Sequence, residues 1–324
     1  MAYAIVMSEY GGPEVLRRES ITVGFPGKGE LRLRQTCLGV NFHDIYVRTG
    51  LYKTLALPGI PGIEGVGIVE EVGDEVVGFA PGDRVAYITD KYGCYASERI
   101  LPAAIAVRLP DTIDDALAAA VFLKALTVEM LLRHVCDVNP GDWILVHAAA
   151  GGVGRLLCQW GNAIGARVIG TAGSHEKADI ARRAGCSDVI LYREENFVER
   201  VKAITDARGV DVAYDSVGKD TFFGSLQCLA YCGHLVNFGQ SSGPPEPVAM
   251  SQLLVRSSTI SRPSVFHYAA QRSVLDKMAT AVFTAIVNGW LQPEEAIKFP
   301  LESAHEAHAL LQSRTAVCPI VLAA

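Results

Sequence analysis

A chain of 324 residues, half of them hydrophobic and a fifth charged, is long enough for two domains and too apolar to remain disordered. Its formal net charge of −6 argues against a nucleic-acid partner or an anionic membrane surface, and no apolar run approaches a bilayer span. The opening stretch, Met1-Ala-Tyr-Ala-Ile-Val-Met-Ser-Glu9, lacks the basic start and long apolar run of a secretory signal, so a cytoplasmic location is expected. Eight cysteines, at 37, 94, 136, 158, 186, 228, 232 and 318, form no C-x-x-C pair and read as small core hydrophobes. Cys228 and Cys232 fall four apart in an expected helix.

In chain order, strands are predicted over 2–7, 31–38, 66–72, 84–88 and 104–108, with one helix over 41–49. Gly11-Gly-Pro13, Pro26-Gly27, Pro58-Gly59, Pro61-Gly62 and Pro81-Gly-Asp83 punctuate them, which predicts an antiparallel, barrel-like β domain. Beyond Asp111 the period changes: alanine- and leucine-rich helices over 114–122 and 125–133 lead into a second domain. Strands over 143–148, 166–172, 187–191, 210–215 and 233–238 then alternate with helices over 155–164, 175–184, 196–207 and 220–229. Such alternation predicts an α/β, doubly wound parallel sheet covered on both faces. An edge strand over 253–261, a helix over 269–288 and a terminal strand over 317–322 follow, the last part returning to the first domain. His305-Glu-Ala-His308 is one residue short of H-E-x-x-H and predicts a polar helix face, not a zinc site.

The stretch Trp143-Ile-Leu-Val-His-Ala-Ala-Ala-Gly-Gly-Val-Gly154 joins a strand, a glycine turn and a helix start. Ala149 holds the first place of G-x-G-x-x-G, and Gly151 and Gly154 hold the other two. Small residues let backbone approach a dinucleotide pyrophosphate, whose charge suits the N–H groups of the helix start. A tight turn with no ligand is the alternative. The next strand ends in Gly173-Ser174, without the Asp or Glu that grips the ribose of NAD, and Glu176 already belongs to the following helix. NADPH is therefore expected over NADH.

Several stretches together resemble the zinc-independent, zeta-crystallin-like quinone oxidoreductases of the medium-chain dehydrogenase/reductase superfamily. They are Gly39-Val-Asn-Phe-His-Asp-Ile-Tyr46, Arg48-Thr-Gly-Leu-Tyr52, Pro61-Gly-Ile-Glu-Gly65, Gly82-Asp-Arg-Val85, Lys124-Ala-Leu-Thr127, His147–Gly154, Tyr214-Asp-Ser-Val-Gly218 and Arg262-Pro-Ser264. The resemblance implies a GroES-like barrel over 1–124, completed by 264–324, and an inserted Rossmann domain over 125–263, with NADPH in the cleft between. It also implies a homodimer joined through the Rossmann-sheet edge. Asn41, Tyr46 and Tyr52 are implied at the acceptor. The implied cofactor contacts are Thr127, Ala150, Gly151, Gly152, Val153, Gly173, Ser174, Lys177, Tyr192, Ser216, Phe238, Gly239, Ser241 and Arg314, with Lys177 and Tyr192 at the 2′-phosphate.

Zinc-binding relatives place a cysteine and a histidine where this chain has Asn41 and Ile63, and neither replacement is a useful zinc ligand. No metal is expected. Without a Lewis acid for carbonyl–alcohol exchange, a quinone or an enone is the expected acceptor. Tyr46 and Tyr52 either bond and stack on that acceptor or pack the barrel edge. His43 stands where the relatives carry an apolar residue, and is either a proton donor to the reduced quinone or a satisfied side chain. The expected activity is NADPH-dependent quinone reduction. Enone or alkenal reduction, or a nucleotide-binding structural role, are the alternatives.

Overall fold

The computed structural model describes residues 1–324 as two units. The first comprises Met1–Leu123, Ala269–Ala279 and Pro293–Ala324, and the second Lys124–Tyr268 and Thr280–Gln292. The return to the first unit thus comes in two pieces, where the sequence reading has one block from 264 onward.

The first unit opens with β1 (Tyr3–Val6), β2 (Arg17–Ser20), β3 (Glu30–Gly39), α1 (Phe42–Arg48), β4 (Glu64–Val72), β5 (Arg84–Ile88), β6 (Glu98–Pro102) and β7 (Ala106–Arg108). β2 escapes sequence reading because Arg17-Arg-Glu-Ser20 is exposed throughout and has no apolar alternation to show. Then α2 (Asp115–Glu129) runs on into a π turn over Met130–Val135. Two helices are expected there, but no glycine or proline interrupts Phe122-Leu-Lys-Ala125, so nothing breaks the first.

The second unit continues with β8 (Trp143–Val146), α3 (Gly152–Ile164), β9 (Arg167–Ala172), α4 (His175–Arg183), β10 (Asp188–Leu191), α5 (Phe197–Ile204), β11 (Val210–Asp215), α6 (Phe222–Cys228), β12 (Leu229–Asn237), α7 (Met250–Leu254), β13 (Thr259–Ser261) and α8 (Val265–Tyr268). The strands form one parallel sheet in the order β10-β9-β8-β11-β12-β13. Ile144, Leu145 and Val146 of β8 are wholly buried, as a central strand covered on both faces requires. The expected edge strand over 253–261 is shorter than read. Its apolar start closes a surface helix instead, with Leu254 and Val255 exposed, and only Thr259–Ser261 pairs with β12. Cys228 and Cys232 do not share a helix: Cys228 ends α6, and Cys232 lies in β12.

The chain ends with α9 (Arg272–Val287), β14 (Ile297–Pro300), α10 (Ala304–Ser313) and β15 (Ile320–Ala323). The barrel sheet runs β14-β15-β3-β4-β5-β7, with β6 pairing β3. Its core gathers Leu31, Leu33, Leu38, Tyr87, Leu101 and Leu322. The expected polar face of α10 is half wrong. His305 is solvated beside Glu306, whereas His308 is wholly buried with Nε2 2.9 Å from the Tyr95 hydroxyl.

Candidate active site

The chain order of the parallel strands runs outward from β8 on one side and from β11 on the other. The ends of these two neighbours flank the switch point where α/β sheets bind ligands. Beyond β8, His147 donates its backbone N–H to Tyr214 O at 3.0 Å and Ala149 donates its own to Thr171 O at 3.0 Å. Ala148 takes a left-handed conformation, φ 51°, and the chain turns into α3. Gly151 caps that helix and brings no side-chain oxygen to its first N–H groups. A Cβ at Gly154 would lie 2.3 Å from Ala148 O, so only glycine lets the helix start this close to the strand end. A helix start without a side-chain cap, on a small-residue turn, fits a pyrophosphate.

Below the turn, the imidazole of His147 joins β8, β9 and α6. Its Nδ1 is 3.0 Å from Thr171 Oγ1 and its Nε2 2.8 Å from Ser225 Oγ. Ser225 gives its own proton to Thr221 O, so Nε2 carries the hydrogen and Nδ1 accepts from Thr171. Burial lowers the His147 pKa and keeps the ring neutral.

At the end of β9, Ser174 caps α4 and accepts the Lys177 backbone N–H at 3.3 Å. A Cβ at Gly173 would sit 2.8 Å from the Tyr192 hydroxyl, so this phenol lies directly on the glycine backbone. The structure therefore brings Gly173, Ser174, Lys177 and Tyr192 together, and Glu176 on the same turn is exposed. At the end of β11, buried Asp215 accepts the N–H groups of Val217 (2.8 Å) and Gly218 (3.0 Å) and the Thr221 hydroxyl (2.8 Å). Ser241 donates to Ser216 O at 3.2 Å, and Phe238 to Asp215 O at 2.9 Å. Arg262 bonds Gly239 O at 3.1 Å and the Asn237 side chain, so Ser216, Phe238, Gly239 and Ser241 form one braced patch. Thr127 lies on α2 in the second unit, and Arg314 caps α10 in the first.

Within the first unit, the predicted acceptor residues lie on and next to α1. Asn41, 7% exposed, donates its side-chain amide to Glu64 Oε2 at 2.9 Å, and its backbone N–H to Asp44 Oδ2 at 2.8 Å. Tyr46 and Tyr52 meet edge to face with ring centroids 5.1 Å apart, and the Tyr52 N–H bonds Tyr46 O at 3.0 Å. His43, three residues before Tyr46 and so on the same helix face, meets Tyr52 at 5.6 Å and Tyr92 at 5.9 Å. No group of three or more His, Cys, Asp or Glu side chains is arranged to hold a metal ion.

Residues 27–111 match the alcohol dehydrogenase GroES-like domain, and residues 152–280 match the zinc-binding dehydrogenase family. A quinone oxidoreductase of Pseudomonas aeruginosa is 44% identical over 323 residues, 99% of each chain. The chain belongs to the quinone oxidoreductase family of the medium-chain dehydrogenase/reductase superfamily. A 2-haloacrylate reductase of a Burkholderia species is 40% identical, again over 99% of each chain. The solved structure of Escherichia coli quinone oxidoreductase complexed with NADPH superposes with a TM-score of 0.95 at 41% identity, covering 99% of this chain and 100% of that one.

Against that family frame, sequence reading misses Glu64 as the partner of Asn41, the bracing of the Gly239 loop by Arg262 and Asp215, and Tyr92 beside His43. Arg262-Pro-Ser264 is visible as a motif, but nothing in its spacing says that the guanidinium reaches back to Asn237. Tyr92 lies 49 residues beyond His43 in a glycine-containing loop and carries no signal of its own.

Proposed function

We propose that this family member reduces quinones with NADPH and without zinc. The observation that carries the reading is the Asn41–Glu64 hydrogen bond at the head of α1, where zinc-dependent relatives need a thiolate. The glycine turn and the α3 start, with Ala150, Gly151, Gly152 and Val153, take the pyrophosphate. Gly173, Ser174, Lys177 and Tyr192 take the 2′-phosphate. Thr127, Ser216, Phe238, Gly239, Ser241 and Arg314 complete the cofactor contacts. Bound NADPH supplies a hydride. Tyr46 and Tyr52 orient the acceptor by donating from their hydroxyls to its oxygens, which carry negative charge as reduction proceeds. Their edge-to-face pair supports this role by placing the two rings side by side. Single replacements of Tyr46 and Tyr52 by Phe should each lower turnover of 1,4-benzoquinone, and unchanged turnover in both removes the role.

The 2-haloacrylate reductase relative supports a second reading, hydride delivery to carbon of an activated alkene. Rates with benzoquinones, enones and 2-haloacrylates separate the two, and no turnover with any of them leaves a nucleotide-binding structural role. We also infer a homodimer through the β13 edge in a cytoplasmic setting. Support comes from Tyr231, Leu254 and Val255 near that edge, 79%, 78% and 75% exposed, an apolar patch of the kind that marks an interface. No helix is long and apolar enough to cross a membrane. Sedimentation at micromolar concentration tests the dimer.

A further inference from the structure

Reduction of a quinone to a hydroquinone consumes one hydride and one proton, and the acceptor residues assigned above account only for orientation. Beside them lies a chain of hydroxyls and imidazole. Tyr92 is 6% exposed, and its hydroxyl lies 3.2 Å from His43 Nε2 and within hydrogen-bond reach of Thr54 Oγ1. Thr54 is exposed to solvent. His43 in turn meets the edge of Tyr52, which meets Tyr46. The series therefore starts in water, crosses a buried phenol and ends among the aromatic side chains assigned to the acceptor.

The backbone under Tyr92 is also unusual. Tyr92 adopts φ 58° and Gly93 φ 86°, consecutive left-handed residues. A tyrosine there is strained and persists where its surroundings fix it. Its two hydrogen-bond partners do so, and the turn aims the phenol between Thr54 and His43. Burial pushes the His43 pKa down to about 4, so the ring is neutral near pH 7, with one protonated and one bare nitrogen. A neutral imidazole passes a proton through without storing charge.

We propose that Thr54, Tyr92 and His43 form a proton relay that carries a solvent proton to the reduced acceptor. The inference rests on the reading of Tyr46 and Tyr52 as the acceptor site. Once hydride has reached the quinone, His43 Nδ1–H breaks as the O–H bond of the hydroquinone forms. At the same time the Tyr92 O–H breaks and His43 Nε2–H forms. Tyr92 recovers a proton from Thr54, and Thr54 from water. One solvent proton is consumed per hydride, and hydroquinone leaves neutral. When product departs, water entering the site reprotonates Nδ1 while Nε2 returns its proton along the chain. His43 is the catalytic residue of the three, and Tyr92 and Thr54 are positioning residues that act through it.

Tyr92→Phe keeps the packed ring and removes the hydroxyl, and Thr54→Val cuts the same chain at an exposed position where folding is not at stake. Single-turnover reduction of 1,4-benzoquinone by the NADPH-loaded protein, in mixtures of H2O and D2O, is the test. The rate should fall about a hundredfold in Tyr92→Phe, the low end for a lost general acid–base group, and in the same direction in Thr54→Val. NADPH affinity should stay unchanged. The wild-type rate should depend on deuterium fraction along a curve, since several protons move, along a straight line in Tyr92→Phe, and along a shallower curve in Thr54→Val. In the cofactor-free protein, nitrogen NMR should show His43 as the Nδ1–H tautomer, identified by subtracting the His43→Gln spectrum, and Tyr92→Phe should shift it. Unaltered rates and deuterium dependence in both variants would overturn the relay while leaving quinone reduction standing. Failure of the wild type to reduce benzoquinone would overturn the underlying reading and the relay with it.

Discussion

Asn41 and Glu64 are joined inside the first unit by a 2.9 Å hydrogen bond from amide to carboxylate, and the other Glu64 oxygen accepts the Leu123 backbone N–H at 2.6 Å. Both carboxylate oxygens are thus engaged by neutral donors. Ile63, the preceding residue, is buried and offers no ligand atom. The protein should purify without stoichiometric zinc and keep its activity in chelator. Elemental analysis giving one zinc per chain, with activity lost on chelation, contradicts this.

Two glycines three positions apart should fail in different ways. A Cβ at Gly154 meets Ala148 O at 2.3 Å, while one at Gly151 meets the same oxygen at 3.1 Å, so the second site tolerates a side chain with a small shift. Gly151→Val should fold and lose NADPH binding, because the branched chain stands in the path of the pyrophosphate. Gly154→Val should lose stability by several kcal/mol, as overpacking does at its worst. Urea titration and cofactor fluorescence, run on both variants, decide this; equal stability of the two would count against the packing account.

Lys177 follows the Ser174 cap of α4 in the group shared with Gly173 and Tyr192. Its replacement by alanine should remove a charge-assisted hydrogen bond of about 1.5–3 kcal/mol, or roughly ten- to a hundredfold in NADPH affinity. Binding of NADH should hardly change. An equal loss for both cofactors would show that the lysine serves the fold and not the phosphate.

His308 sets a pH dependence of stability. Tyr95 donates to Asp44 Oδ2 at 3.2 Å, so His308 donates its Nε2–H to the Tyr95 oxygen, and its Nδ1 has no partner. Burial, with the nearby Arg48 charge, pushes its pKa down to about 3. The folded value lies below the unfolded one, near 6.5, so between these the unfolded chain binds the extra proton. Stability should be flat above about pH 6.5 on this account and fall below it, by about 1.4 kcal/mol per pH unit for this one group. His308→Gln should flatten the fall by one proton; an unchanged slope between pH 6 and about 4 would refute the assignment.

The barrel and the parallel sheet were legible because their strands are either alternating or continuously apolar, and because glycine and proline punctuate them. Elements without such a pattern were not. β2 is polar throughout, and the Leu253-Leu-Val255 run looks like a strand although it closes an exposed surface helix. At the site, the glycine turn was readable because a local spacing carries it. Glu64 under Asn41 and Arg262 under Gly239 were not, since each joins residues 23 apart that only the fold brings together. His43 was visible but undecided, and Tyr92 resolves its surroundings.

Initial rates of 1,4-benzoquinone reduction with NADPH and with NADH, in the presence of chelator, decide whether this protein is a zinc-free, NADPH-dependent quinone reductase. Turnover should saturate with NADPH, and kcat/KM for NADH should be at least about tenfold lower, the worth of one phosphate contact. No turnover with NADPH, or a preference for NADH, would contradict this.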